Sequence, residues 1–208
     1  MVSFKKSGRS FILVYGARME SEPIGRHIVW IGVVFEGGLA VLALLLGWIL
    51  GQPPLQKIHW SNQDAIWGLA ACLPMLVIFI ICVRWPMGPL VRIKQFSEAF
   101  IREWFARCSL LDLALISLLA GIGEEMLFRG VIQESLREWL NPVTAIVLAS
   151  LLFGLMHPIT PFYIIMAAGM GAFLGWIFVA TGNLLPVIIT HGLYDFLALA
   201  YLTRTLSR

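Results

Sequence analysis

Three short motifs carry the residue types that do acid–base chemistry. "EEMLFR" supplies Glu124, Glu125 and Arg129, "FGLMH" supplies Phe153 and His157, and "HGLYD" supplies His191 and Asp195. Carboxylates and imidazoles together can take a proton from water, hold it and return it. Residues four apart share one face of a helix, so Glu125 can pair with Arg129, Phe153 with His157, and His191 with Asp195. Glu124 points about 100° away from Glu125. One acid can therefore be neutralised by the guanidinium while the other stays available, although Arg129 is near enough to serve both. Asp195 can hold the His191 ring in one tautomer, or the two can point side by side into a cavity.

The surroundings of these residues are what make them unusual. Of the 208 residues, 59% are hydrophobic and 13% charged, and the mean hydropathy is +0.85. A soluble domain carries about 25% charged residues, so this chain belongs in a membrane. Ionisable residues within membrane segments are rare, usually face the bundle interior or a wet cavity, and are functional candidates by default. If the segments fold so that their polar residues converge, they form a Glu, His, His, Asp cluster in a low-dielectric cavity. There, general acid–base chemistry becomes possible near neutral pH.

A spanning helix needs roughly 20 mostly apolar residues. Six stretches qualify, from His27 to Gly51, Asp64 to Val83, Ser109 to Phe128, Pro142 to His157, Phe162 to Ala180 and Leu184 to Leu202. The fourth is short for a span. The first two read as packaging, apart from Glu36 and a kink-prone Pro74. Pro158 predicts that the fourth helix ends at His157, leaving that ring near a rim that water can reach. Gly171 and Gly175 form a small-residue face for close helix contact. The expected architecture is an all-α polytopic transmembrane bundle with the active-site cavity between the four C-terminal helices.

Between the second and third spans, Ile93, Phe96, Phe100 and Trp104 recur at helical spacing, with Lys94, Arg102 and Arg107 elsewhere around the wheel. This predicts either an interfacial amphipathic helix or an amphipathic extension of the third span. Lys5, Lys6, Arg9, Arg18 and Arg26 precede the first span, Arg84 to Arg107 follow the second, and only Lys57 lies between them. The positive-inside bias predicts cytoplasmic N- and C-termini. The seven-residue run "FILVYGA" is short for a signal peptide, so the first span is expected to insert uncleaved. Cys72, Cys82 and Cys108 are too scattered for a disulfide framework and read as small core residues. The charge of +3 is a matter of membrane orientation and not of nucleic acid. Residues 1–208 read as a single membrane domain.

The three motifs, in this order and within membrane spans, resemble those of the CPBP family: the type II CAAX prenyl endopeptidases with the bacteriocin-processing and Abi-type membrane proteins. The resemblance covers about residues 109 to 203 as a catalytic core, with residues 1–108 supplying an N-terminal segment, two spans and the interfacial helix. It implies an intramembrane glutamate peptidase of a prokaryotic plasma membrane, without cofactor or catalytic metal, acting on a peptide or lipidated protein in the bilayer. By that resemblance Glu124 activates water with His157, His191 and position 195 stabilise the oxyanion, and Glu125, Arg129 and Phe153 support them. Where the family's best-known members carry an amide, this chain has Asp195. An ionised aspartate cannot donate to an oxyanion; it must carry a proton to do so, or else act by orienting His191. Two other classes use the same residue types. One is a zinc enzyme, for which the sequence offers no HExxH; the other is a scaffold, immunity-type protein or proton-coupled carrier.

Overall fold

A computed structural model describes residues 24–206. The basic N-terminal stretch with Lys5, Lys6, Arg9 and Arg18, the "FILVYGA" run and Arg208 lie outside the described residues. Among those described there are helices and no strands. We number the helices α1 (Ile24–Ile49), α2 (Asn62–Arg84), α3 (Pro89–Phe100), α4 (Leu110–Glu125), α5 (Pro142–Leu155), α6 (Pro161–Thr181) and α7 (Leu184–Leu206). A π-helical turn, Ile101–Phe105, extends α3, and a longer π-helical stretch, Met126–Gln133, carries α4 on into a last turn at Glu134–Arg137.

Local sequence sets most of these boundaries. Ser109 and Asp112 form a reciprocal capping box that starts α4, satisfying two of the helix's orphan donors. Asn141 and Thr160 cap α5 and α6 through the amides of Thr144 and Tyr163, each followed by a proline in the first turn. That position suits proline, because its missing N–H would have had no helical partner. Gly182 ends α6 with φ of 64°, the left-handed conformation that favours glycine.

Four helices (α1, α2, α6 and α7) are long and apolar enough to cross a membrane. The chain is an integral membrane protein built as a polytopic helical bundle. Two of the six expected spans differ in form. The fourth is a helix of 14 residues, Pro142–Leu155, about 21 Å long at 1.5 Å per residue and too short to cross unaided. The third does not stop near Phe128 but runs from Leu110 to Arg137, and it meets Pro89–Phe105 at a bend of 117°. The amphipathic segment is therefore a separate helix and not a straight extension of the third span. No residue of α3 is buried.

Outward faces carry Trp30, Phe35, Leu45, Ile66, Leu73 and Trp176, all exposed, an apolar surface suited to lipid. Trp48, Trp60, Trp85 and Trp139 lie exposed at or beside helix ends, where amphipathic rings favour the membrane boundary. Cys72 is buried and Cys82 and Cys108 are partly buried, and none of the three is in a disulfide.

Two polar knots hold one end of the bundle. Asn183 donates to the His59 carbonyl at 2.7 Å and to Asp64 Oδ2 at 2.9 Å, and its Oδ1 accepts from the His59 and Leu185 amides. This pins the start of α7 beside the start of α2. Lys57, in the turn after α1, donates to the Gly130 carbonyl at 2.8 Å and to Gln52 Oε1 at 2.6 Å. Burial lowers the pKa of its ammonium, with Glu134 acting in the opposite sense.

Helix approach rests on glycines where backbones nearly touch. A Cβ on Gly121 would lie 2.9 Å from the Gly192 amide nitrogen and the Ile188 carbonyl oxygen, and one on Gly123 would lie 2.5 Å from the Glu36 carbonyl oxygen. Gly38, by contrast, faces open space. Gly121→Ala is expected to push α7 from α4 and lower stability by about 1–3 kcal/mol, read as the midpoint of SDS-driven unfolding in mixed micelles. Gly38→Ala is expected to leave that midpoint unchanged or raise it slightly.

Candidate active site

The bundle brings the polar residues of α4, α5 and α7 together, with α6 supplying backbone acceptors. Arg129 is 1% exposed and Glu125 is fully buried. Arg129 Nη1 donates to Glu125 Oε1 at 2.9 Å, and Nη2 donates to the Gly171 carbonyl at 3.0 Å. The guanidinium carbon lies 4.6 Å from the centre of the Phe153 ring, a cation–π arrangement. One turn on, Gln133 Nε2 donates to the Gly175 carbonyl at 3.1 Å. The two glycines of α6 thus do more than permit close packing. Their bare α-carbons admit Arg129 and Gln133 to the helix backbone, since a Cβ at Gly175 would sit 2.6 Å from Gln133 Oε1.

Glu125 Oε1 has a second partner. His191 Nδ1 lies 2.7 Å from it, so the ring donates from Nδ1 and only Nε2 remains to face the cavity. That nitrogen lies 3.4 Å from Asp195 Oδ2 and 4.0 Å from Glu124 Oε2. Glu125 holds the Nδ1 side of the ring, and Asp195 lies on its Nε2 side. Neither arrangement drawn from the HGLYD spacing included this partner from α4.

His157 follows the end of α5, in the turn before Pro158. Its Nδ1 donates to the Phe153 carbonyl at 2.8 Å. Its Nε2 points at Glu124 Oε2 from 3.8 Å. The Phe153 ring lies beside both histidines and Phe128: 4.6 Å from the His157 ring, 6.0 Å from that of His191 and 5.0 Å from that of Phe128, centre to centre. Glu124 itself is 8% exposed, and its Oε2 is buried with no hydrogen bond to the described residues. Its carboxylate thus faces two imidazole Nε2 atoms across gaps wider than a direct hydrogen bond. Among the described residues, no group of three or more His, Cys, Asp or Glu side chains is arranged to hold a metal ion.

Two residues escaped the sequence reading. Gln133 sits four after Arg129 on the same face, matching the Gly171–Gly175 spacing, and that register is the signal that would have found it. Glu36 of α1 lies within electrostatic reach of Glu124, Asp195 and His191, and its Oε2 is buried without a hydrogen bond. The first span therefore contributes to the surroundings of the cluster. Its warning sign was a lone acid in an apolar helix.

A cavity of about 880 Å³ opens from Asp195 between α2, α3, α6 and α7, lined by Phe79, Phe96, Phe100, Tyr163 and Phe173 among others. Its walls therefore come from α2 and α3 as well as from the C-terminal helices.

A buried carboxylate–imidazole cluster inside a helical membrane bundle, beside an apolar cavity, defines a class of intramembrane acid–base sites. Residues 106–197, which include all seven motif residues, match the family model described as type II CAAX prenyl endopeptidase Rce1-like. Over these residues the chain is similar to this family of membrane endopeptidases. Among curated proteins and solved structures nothing matches it significantly.

Removing the guanidinium would leave Glu125 as an uncompensated buried charge and would free the Gly171 carbonyl. Arg129→Met is expected to cost about 3–5 kcal/mol, the usual penalty for breaking a buried ion pair. Arg129→Lys should fall between it and the parent protein, because a point charge cannot reproduce the planar fork. The same SDS midpoint measures both.

Proposed function

We propose that this chain is an intramembrane endopeptidase in which Glu124 and His157 activate a water against a peptide bond, with His191 and Asp195 at the oxyanion. The observation that carries the reading is the disposition of Glu124 Oε2, buried without a hydrogen bond and facing His157 Nε2 at 3.8 Å and His191 Nε2 at 4.0 Å. Gaps of that size suit a bridging water. His157 donates from Nδ1 to a carbonyl, so the neutral ring offers a lone pair at Nε2. A water between them is held by a hydrogen bond to His157 Nε2 and gives its other proton to Glu124 as its oxygen attacks the carbonyl carbon, leaving a hydroxyl on the tetrahedral intermediate. The C–N bond then breaks and the proton held by Glu124 passes to the leaving amine. His191 in its imidazolium form presents Nε2–H to the developing oxyanion, and Asp195 holds that side of the ring. A donor placed in a water-excluded site is worth more than in water.

The apolar cavity beside Asp195 supports an apolar or lipidated peptide as substrate, in keeping with the matched family. We place the catalytic core at residues 109–203. The bias of Arg84, Arg92, Lys94, Arg102, Arg107 and Arg204 supports a cytoplasmic location for that end of the bundle and for both termini. The plasma membrane of a prokaryote is the compartment we assign, from the likeness of the motifs to prokaryotic relatives.

Glu124→Gln keeps the shape of the side chain and removes its basicity. It is expected to lower cleavage by roughly 10²–10⁴-fold while the protein still inserts and folds. The substrate is found by purifying Glu124→Gln protein from its host membranes and identifying peptides retained by it and not by the parent. Cleavage of such a peptide by purified parent protein, lost in the variant, supports the reading; undiminished cleavage by Glu124→Gln overturns it. Asp195→Asn supplies a neutral donor at the oxyanion and is expected to retain activity within about tenfold, whereas Asp195→Ala loses roughly 10²-fold or more. Initial rates on the trapped peptide measure both.

A further inference from the structure

A second concave site lies at the same end of the bundle as the cavity mouth. It is a groove of about 850 Å³ between the C-terminal ends of α2 and α7 and the side of α3, with Arg84, Arg204 and Lys94 among its lining residues. Glu98 is the carboxylate in the lining, and it is already matched by Lys94 at 3.8 Å. Arg84 Nε donates to the Tyr201 hydroxyl at 3.0 Å, which orients the guanidinium and leaves its terminal nitrogens for another acceptor. Arg204 has no ion pair or hydrogen bond from its side chain among the described residues. The remaining walls, including Leu76, Phe79, Ile80 and Leu197, are apolar.

We propose that this groove is a binding site for one anionic phospholipid, with the phosphate on Arg84, Arg204 and Lys94 and an acyl chain along the apolar wall. Two guanidiniums and an ammonium around one opening match a phosphodiester, since arginine engages phosphate oxygens in pairs. Basic pockets between membrane helices on the cytoplasmic side favour such head groups. The apolar wall distinguishes the occupant from a free anion, because inorganic phosphate has nothing to place there. The groove shares Phe79, Val83, Lys94 and Leu202 with the cavity that reaches Asp195. Phe79 also meets the Tyr201 and Tyr194 rings edge-on, at 5.8 and 6.2 Å. A lipid held there clamps α3, which has no buried residue of its own, against the mouth of the cavity. The proposal does not depend on the peptidase reading, and its test reads binding and not cleavage.

The full chain, purified in a neutral detergent, is exposed to equal amounts of dioleoyl phosphatidylglycerol and dioleoyl phosphatidylcholine, and retained lipid is read by native mass spectrometry. The parent protein is expected to retain one phosphatidylglycerol in preference to phosphatidylcholine. Arg84→Gln with Arg204→Gln is expected to reduce that preference roughly 10–30-fold, the effect of losing two cations near an anionic head group. Tyr201→Phe, which keeps the ring packing and removes the hydroxyl that orients Arg84, gives a smaller loss and covers the case in which the double variant misfolds. Arg92→Gln with Arg102→Gln removes two exposed cations outside the groove and should change nothing. Equal retention of the two lipids, an undiminished preference in the groove variants, or an equal loss in the Arg92/Arg102 pair each overturns the proposal. Displacement of the lipid by millimolar inorganic phosphate also overturns it, in favour of a free-anion site.

Discussion

The buried Glu125–Arg129 pair is the constraint on which the rest of the core depends. A guanidinium in an apolar interior is tolerated only when each of its faces has a partner, because an isolated charge there costs several kcal/mol even after relaxation. Arg129 meets this with Glu125, the Gly171 carbonyl and the Phe153 ring. Each partner then restricts something else. The carbonyl of α6 is reached where that helix lacks a side chain, since a Cβ at position 171 would lie 3.3 Å from Arg129 Nη2 and from Ser150. The ring must lie flat beneath the guanidinium, which sets the orientation of α5 just before it ends at His157. The π-helical stretch Met126–Gln133 carries Arg129 and Gln133 in the register that meets both glycines. Such local rewinding recurs where side chains must be aimed at a site.

The same oxygen that accepts from Arg129 also accepts from His191. One atom, Glu125 Oε1, thus joins the cation of α4 to the imidazole of α7. The consequence is geometric. With its Nδ1 committed, His191 can present only Nε2 to the cavity, where Asp195 and Glu124 lie. Adjacent acids on one helix therefore sit in different surroundings. Glu125 Oε1 accepts from both Arg129 and His191, whereas no described residue donates to the Oε2 of either acid. The difference arises from the 100° step between neighbours on a helix together with what α6 and α7 bring to each side.

Local patterns in the sequence were the legible part. Six apolar stretches and the stop signal of Pro158 just after His157 were readable from composition and local residue types. The Glu125–Arg129 pairing is likewise a matter of four-residue spacing. The partners that lie far along the chain were not legible. His191 reaches Glu125 across 66 positions, and the acceptors for Arg129 and Gln133 are backbone carbonyls on another helix, which no side-chain pattern advertises. Glu36 was visible as an oddity, but its proximity to Glu124 follows from α1 lying against Gly123, a tertiary fact. The short α5 was readable as short; that its end brings His157 to Glu124 is a tertiary fact.

The residues that match the family begin at position 106, yet the cavity beside Asp195 is walled in good part by residues before it, from Pro74 to Ile101. The division has a physical meaning. The acid–base cluster depends on buried hydrogen bonds whose partners must all fit at once, so few substitutions are tolerated there. The apolar wall of α2 and α3 depends on shape and volume, which a hydrophobic core can satisfy in many ways. Any substrate that reaches the cluster along this cavity must pass between α3 and the helices around it. Both halves of the chain thus wall the cavity, whereas the acid–base cluster is drawn from the C-terminal half.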